Sequence, residues 1–178
     1  ASSRGHIQKT ANGILTFPFT IKNQFTTAIS TLKAVKNLRF EILDYQKTFF
    51  IESQKESEKF KNDAIIFGNT KDRYRTNKLA EILKRHEIEI FSLDSDILHN
   101  EKLYKKDFSY VIPKNQKKYR LINAMFETRT KFNDSLFYDV SSWTLPLAFN
   151  LDYDLSFPVK KAIKKVDEID FKGTHTFN

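Results

Sequence analysis

The stretch from Asp63 to Phe91, DAIIFGNTKDRYRTNKLAEILKRHEIEIF, changes its hydrophobic period twice. Asp63-Ala64-Ile65-Ile66-Phe67 is a short continuous apolar run, the pattern of a buried strand, and Gly68-Asn69 is the turn that ends it. From Tyr74 to Arg85 the apolar residues Leu79, Ala80, Ile82 and Leu83 fall at helical spacing. Ile88 and Ile90 then alternate with Glu89 and Phe91, which reads as a second strand. A strand, a helix and a strand of these lengths predict a parallel pair joined by a right-handed crossover.

Working outward, Phe108–Ile112 reads as a third strand, preceded by a polar, hairpin-like excursion at His99–Lys106. Pro113-Lys114-Asn115 stops it, and Gln116–Glu127 is a helix with Leu121, Ile122, Ala124 and Met125. Ser135–Val140 is a short strand, and Ser141 or Ser142 can cap a helix through Trp143–Asn150. The last twenty residues, with PVKKAIKKVDEIDFKG, fit an edge strand or a loosely held tail. Upstream, residues 1–22 read as loop and extended chain, with Thr20 and Asn23 as candidate helix caps. From Phe25 the apolar positions 25, 28, 29, 32, 35, 38, 42, 45 and 49 recur three or four apart, which is a long amphipathic helix. It continues as SQKESEKF to about Phe60, a run with few core positions, expected to lie exposed as a connector. Three segments follow: 1–61, an α/β domain over 62–156, and a tail over 157–178. Alternating strands and helices predict an open, mostly parallel sheet, flavodoxin-like in style.

Composition sets limits on function. The chain has 178 residues with 40% hydrophobic and 14% aromatic, enough for one filled core, while 4 Gly and 4 Pro argue against a fibrous or disordered chain. No apolar run is long enough to suggest a membrane span, and no basic-then-apolar pattern is read at the start, where Ala1 in place of Met reads as a processing boundary, with any targeting signal of the parent upstream of it. Cysteine is absent, which excludes disulfides, a Cys nucleophile and thiolate metal sites. The net charge is +8. Its basic runs at Lys71–Arg75, Lys102–Lys106, Lys114–Arg120 and Lys160–Lys165 are interleaved with Tyr74, Tyr104 and Tyr119. Such stripes can track a nucleic acid or another anionic polymer, or they are solvated faces. No recognisable nucleic-acid motif accompanies them, which weighs against nucleic acid as the partner.

Two stretches carry a family resemblance: Lys118–Leu147, KYRLINAMFETRTKFNDSLFYDVSSWTLPL, and the opening ASSRGHIQKTANGILTFPFTIKNQFTTAISTL. With the Asp63–Phe91 segment they resemble the carboxyl-terminal part of bacterial zinc carboxypeptidase-like proteins, chiefly from the Bacteroidetes. The likeness runs from Ala1 to about Ser156. In that family a zinc peptidase domain is followed by a domain like the class I glutamine amidotransferases. The resemblance therefore implies a non-catalytic accessory domain of a secreted or periplasmic protein. Its partner would be the peptidase domain of the same polypeptide, with peptide as a substrate. It also implies that zinc belongs to the parent and that this chain needs no cofactor. The parent activity so implied is proteolysis, the zinc-dependent removal of carboxyl-terminal residues from peptides. In the family, the glutamate that takes a proton from the zinc-bound water precedes the segment matching Ala1–Gly5. By that likeness Arg4, beside His6, can line the parent's site, or it is an ordinary structural arginine.

Several constellations are candidates for chemistry. His86-Glu87-Ile88-Glu89 has the His-x-x-Glu spacing of a zinc carboxypeptidase ligand pair, and His175 can be cast as a third ligand. Against this, His86 sits where helix gives way to strand, and a histidine at a helix end meets the carbonyl dipole favourably. Related proteins carry Gly near Glu87, a helix-stop signal, so no metal site is expected here. Amidotransferase chemistry needs a Cys nucleophile and is excluded, and no Gly-x-Ser-x-Gly elbow replaces it. Gly68-Asn69-Thr70 follows the first strand where open sheets bind ligands, but lacks a Gly-x-Gly-x-x-Gly cradle. With Asp72, Arg73 and Arg75 it can hold an anionic or peptide group, or it is a loop tied by local ion pairs. Glu127 and Arg129, with Asp134, Tyr138 and Asp139, form a polar cluster that can face substrate or tie a loop to the sheet. Trp143 and Phe149 fit a core role. The alternative function is a stand-alone basic module for an anionic polymer or glycan.

Overall fold

The structure, a computed structural model, describes residues 7–128, 144–161 and 164–171. Its contacts divide the chain into two compact units, Ala1–Thr48 and Phe49–Asn178.

The first unit opens with a hairpin, β1 (Ile7–Thr10) and β2 (Gly13–Thr16), paired antiparallel with Thr10 opposite Gly13. Gly13 has φ +117, a conformation that glycine adopts without strain. Helix α1 (Phe17–Asn37) follows at once, so the expected loop through residue 22 is corrected. Thr16 is its N-cap, accepting from the Phe19 N–H at 3.3 Å. Pro18 in the first turn costs no hydrogen bond, because that N–H has no intrahelical partner anyway. The i→i−4 ladder runs on through Leu38 into α2 (Arg39–Ser57). No residue of α1 is buried.

The second unit is a mixed α/β domain built on one sheet. Its elements are β3 (Asp63–Gly68), α3 (Arg73–Arg85), β4 (Phe91–Ser92), β5 (Ile97–His99), β6 (Lys102–Tyr104), β7 (Ser109–Pro113), α4 (Tyr119–Phe126), the single turn α5 (Leu145–Ala148), β8 (Asp152–Pro158) and β9 (Lys164–Lys165). The sheet order is β8-β3-β7-β4-β9, and every neighbouring pair is antiparallel. The expected open parallel, flavodoxin-like sheet is therefore corrected. β3 and β4 do run the same way, but β7 lies between them, so β3-α3-β4 is a split β-α-β unit. Strand length explains why. β3 is six residues long and buried along nearly all of its length, so it needs a long partner on each side. β4 offers two residues, whereas β7 offers five and β8 seven. β4 is short because Glu89 takes its bonds from a side chain: Gln116 Oε1 accepts from the Glu89 N–H at 2.8 Å, and Gln116 Nε2 donates to the Glu89 carbonyl at 2.9 Å.

One face of the sheet packs Ile65, Phe67, Tyr110 and Ile112 against Leu79, Ala80 and Leu83 of α3 and Ile122 and Phe126 of α4. The other face, with Ala64, Ile66, Val111 and Phe157, is covered by Leu93 and by Tyr104 of the β5–β6 hairpin. The expected hairpin-like excursion at 99–106 is that cover. β8 follows the helix expected over 143–150, of which α5 is the described turn, and its alternation of Tyr153, Leu155 and Phe157 with polar residues is a strand pattern. The expected strand at Ser135–Val140 and the caps at Ser141 and Ser142 lie outside the described residues.

The end of α2 is no exposed connector. Ser53 and Ser57 are buried. Ser53 Oγ donates to the Lys117 carbonyl at 3.0 Å, and Ser57 Oγ lies 3.0 Å from Asn115 Oδ1. Arg120 of α4 grips Glu56 through Nε and Nη2 at 3.0 and 2.8 Å, and reaches Glu52 at 3.0 Å. Its guanidinium lies 4.8 Å from the centre of the Phe49 ring.

Candidate functional site

The residues singled out after the first buried strand gather at the β3–α3 corner, where Asn69, Asp72 and Arg75 each have a local partner. Gly68 faces Ser109 across the β3–β7 ladder. A Cβ placed on it would lie 2.4 Å from Ser109 Oγ and 2.5 Å from the Phe108 carbonyl oxygen. Glycine stands there because two backbones approach closely, with no ligand required. Asn69 makes an Asx turn: its Oδ1 accepts from Lys71 N–H at 2.7 Å and Asp72 N–H at 3.0 Å. Its amide donates to the Asn150 carbonyl at 3.2 Å. Asp72 caps α3, accepting from the Arg75 N–H at 3.0 Å, and pairs with the Arg75 side chain at 3.0 Å. The Asx turn, the cap and the Asp72–Arg75 ion pair hold this corner.

Arg73 differs. Its Nε is buried and has no hydrogen-bond partner among the described residues. The Tyr110 hydroxyl donates to Asn77 Oδ1 at 3.0 Å, and Asn77 Nδ2 donates to the Asp170 carbonyl at 2.6 Å. Burial pushes the Tyr110 phenol up, with Asp170 adding to the shift and the Arg73 charge opposing it. This chain of polar groups pins the carboxyl-terminal segment to α3.

The other candidates are dispersed. Glu127 ends α4, donating its N–H to the Asn123 carbonyl at 2.8 Å and accepting from Thr144 Oγ1 at 2.6 Å. Arg129, Asp134, Tyr138, Asp139 and Trp143 lie outside the described residues, as do Arg4, His6 and His175. Phe149 packs on the helix-side core, as expected. His86 caps the end of α3, its N–H shared by the Ile82 and Leu83 carbonyls at 3.2 and 3.1 Å. Glu87 follows in the left-handed region at φ 59, the place helices usually give to glycine. Glu89 pairs with Lys165. Among the described residues no three His, Asp or Glu side chains gather around a point that would suit a metal.

A polar cluster that sequence reading did not find sits where the β5–β6 hairpin meets β8. His99 Nε2 lies 2.9 Å from the Ser156 carbonyl and 3.7 Å from Asp154. Asp154 accepts from Asn100 at 2.6 Å and from the Ser156 N–H at 2.8 Å. Burial raises the Asp154 carboxyl, but these donors and His99 outweigh it and hold the group below the usual range. The cluster closes both backbone groups of Ser156 on an edge strand that is bulged between its Phe157 and Asp154 pairings. That protects a sheet edge from stray pairing. The available signal was Asn100-Glu101, a two-residue loop with φ 45 and 63 between paired His99 and Lys102. Tyr104 Oη and Ser109 Oγ are buried nearby without hydrogen-bond partners among the described residues. Burial drives the Tyr104 phenol well up, with Asp154 and Asp152 adding to it.

A polar cleft of about 360 Å³ opens between the end of α2, the α3–β4 turn and the loop before α4. Glu87, Glu89, Lys117 and Lys118 line it, and Lys118 sits 3.6 Å from Glu87, so its charges are largely matched. The chain matches no protein-family model, no curated protein and no solved structure.

Proposed function

We propose that the chain is a non-catalytic accessory unit of a zinc carboxypeptidase-like protein, supporting the peptidase domain of the same polypeptide or its hold on a peptide. The proposal rests on the resemblance along Ala1 to about Ser156. One structural observation supports the non-catalytic part: Gly68, Asn69, Asp72 and Arg75 are each spent on forming the β3–α3 corner. The zinc, the removal of carboxyl-terminal residues and a secreted or periplasmic setting belong to the parent in this reading. The sheet itself departs from the parallel one that the amidotransferase likeness implies. The test is zinc uptake and peptide hydrolysis by the purified chain. It should retain no stoichiometric zinc and release no residue from a peptide panel. One-to-one zinc uptake that His86→Ala abolishes would refute the proposal.

The net charge of +8 favours a second reading, a stand-alone module for an anionic polymer or glycan. Binding of that kind weakens steeply with salt. Submicromolar affinity for heparin or single-stranded DNA that survives physiological ionic strength would establish it over the first.

A further inference from the structure

We propose that helix α1 lies in the plane of an anionic lipid surface, with its apolar face in the headgroup boundary. All 21 residues of α1 lack burial, and Phe17, Ile21, Phe25, Ile29, Leu32 and Val35 are exposed. At about 100° per residue these six and Ala28 fall within an arc of roughly 120°, wide enough for an amphipathic face. Phe19, in the first turn, falls outside it. Lys22 and Lys33 follow one border of the arc, and Lys36 lies just inside it. The opposite side carries uncharged Asn23, Thr27, Ser30 and Thr31.

Charge selects the occupant. From Ala1 to Phe40 there is no Asp or Glu, whereas Arg4, Lys9, Lys22, Lys33, Lys36 and Arg39 are basic. A second copy would set one basic arm against another. Anionic headgroups complement it, and lysines at the border of an apolar face can extend their ammonium groups to phosphate while their stems stay apolar. The contact is one-sided, as a planar surface requires. No helix among the described residues is long and apolar enough to cross a membrane, so α1 lies on the surface without spanning it.

The test uses the whole chain with sedimenting vesicles of equimolar phosphatidylcholine and phosphatidylserine, and with phosphatidylcholine alone. The chain should pellet with the anionic vesicles and much less with the neutral ones. Lysine near such a surface contributes about fivefold in affinity, so the triple variant K22Q/K33Q/K36Q should lose about a hundredfold. Phe25→Glu and Leu32→Glu should release the chain, while hydrogen exchange in β3 stays as in the wild type. A wild-type chain left in the supernatant would overturn the proposal and leave the face to a protein partner. Equal binding by the triple variant would overturn it too. So would a dimer in velocity sedimentation that Phe25→Glu converts to monomer, because the second copy would then be the occupant.

Discussion

Gly68→Ala separates a folding role for this residue from a binding one. Its φ lies outside the left-handed region, so an alanine can adopt the same backbone and only space is at issue. The added methyl would meet Ser109 Oγ at 2.4 Å, the Phe108 carbonyl oxygen at 2.5 Å and Ser109 Cβ at 2.8 Å. The carbonyl cannot swing away cheaply, because it accepts the Asn69 N–H at 3.2 Å and leads into the β7 ladder. Overpacking of this kind costs about 1–3 kcal/mol, and loss of the Asn69 bond adds about 1 kcal/mol. Alanine returns about 0.4–1 kcal/mol by restricting the unfolded chain, which leaves a net loss of about 1–3.5 kcal/mol. With a urea m-value of about 2 kcal/mol/M, the midpoint should fall by about 0.5–1.8 M. The assay is urea unfolding with hydrogen exchange in β3, so that the second unit is followed by itself. Ser109→Gly in the same chain should restore part of the loss, since it removes two of the three clashing atoms. An unchanged or raised midpoint for Gly68→Ala would refute the steric reasoning and return the residue to a ligand.

Glu87→Gly and Glu101→Gly each place glycine where the chain holds a positive φ. Each should stabilise by about 0.5–1 kcal/mol, and a lower melting temperature would count against the turn assignments. Asp154→Ala removes the acceptor of Asn100 and of the Ser156 N–H. It should destabilise the domain by about 1–3 kcal/mol and raise light scattering as the β8 edge opens; a soluble variant of wild-type stability would argue against edge protection. Glu56 is held below the usual carboxylate range, first by its hydrogen bond from Arg120. Its contribution is therefore complete above the ordinary glutamate pKa of about 4.3 and lost as pH falls through the lower folded value. The protection of amides 52–57 relative to their intrinsic exchange rates should fall across that acid window, and Arg120→Met should remove that fall. Equal protection at pH 3 and pH 6 would contradict the pair.

The elements were more legible than their pairing. Ile65, Ile66 and Phe67 announce a buried strand, and Leu79, Ala80 and Leu83 a helix, because burial imposes period on local sequence. Which strand lies beside β3 depends on matching lengths, and β4 was cut short by the Gln116 side chain, a contact across 27 positions. No local period records that. The candidate site shows the same division. The chemistry of Asn69 and Asp72 was readable as polar and turn-forming, yet the choice between ligand and cap depended on whether a backbone N–H lay within reach. Gly68 could not be assigned without Phe108 and Ser109 opposite it, and Arg129 lies outside the described residues.

The polar run after residue 50 makes the sharper point. SQKESEKF has almost no apolar side chains, so an account of burial by hydrophobicity alone leaves it in solvent. Ser53 and Ser57 are nevertheless buried, because Lys117 and Asn115 offer acceptors at hydrogen-bond distance and Arg120 takes both glutamates. A small hydroxyl lets α2 approach the loop before α4 closely, and a satisfied hydroxyl carries little penalty for leaving water. Helix α1 shows the converse, since its Phe and Leu side chains are exposed. Satisfaction of polar groups, with apolar periodicity, decides which part of this long helical stretch belongs to the α/β unit.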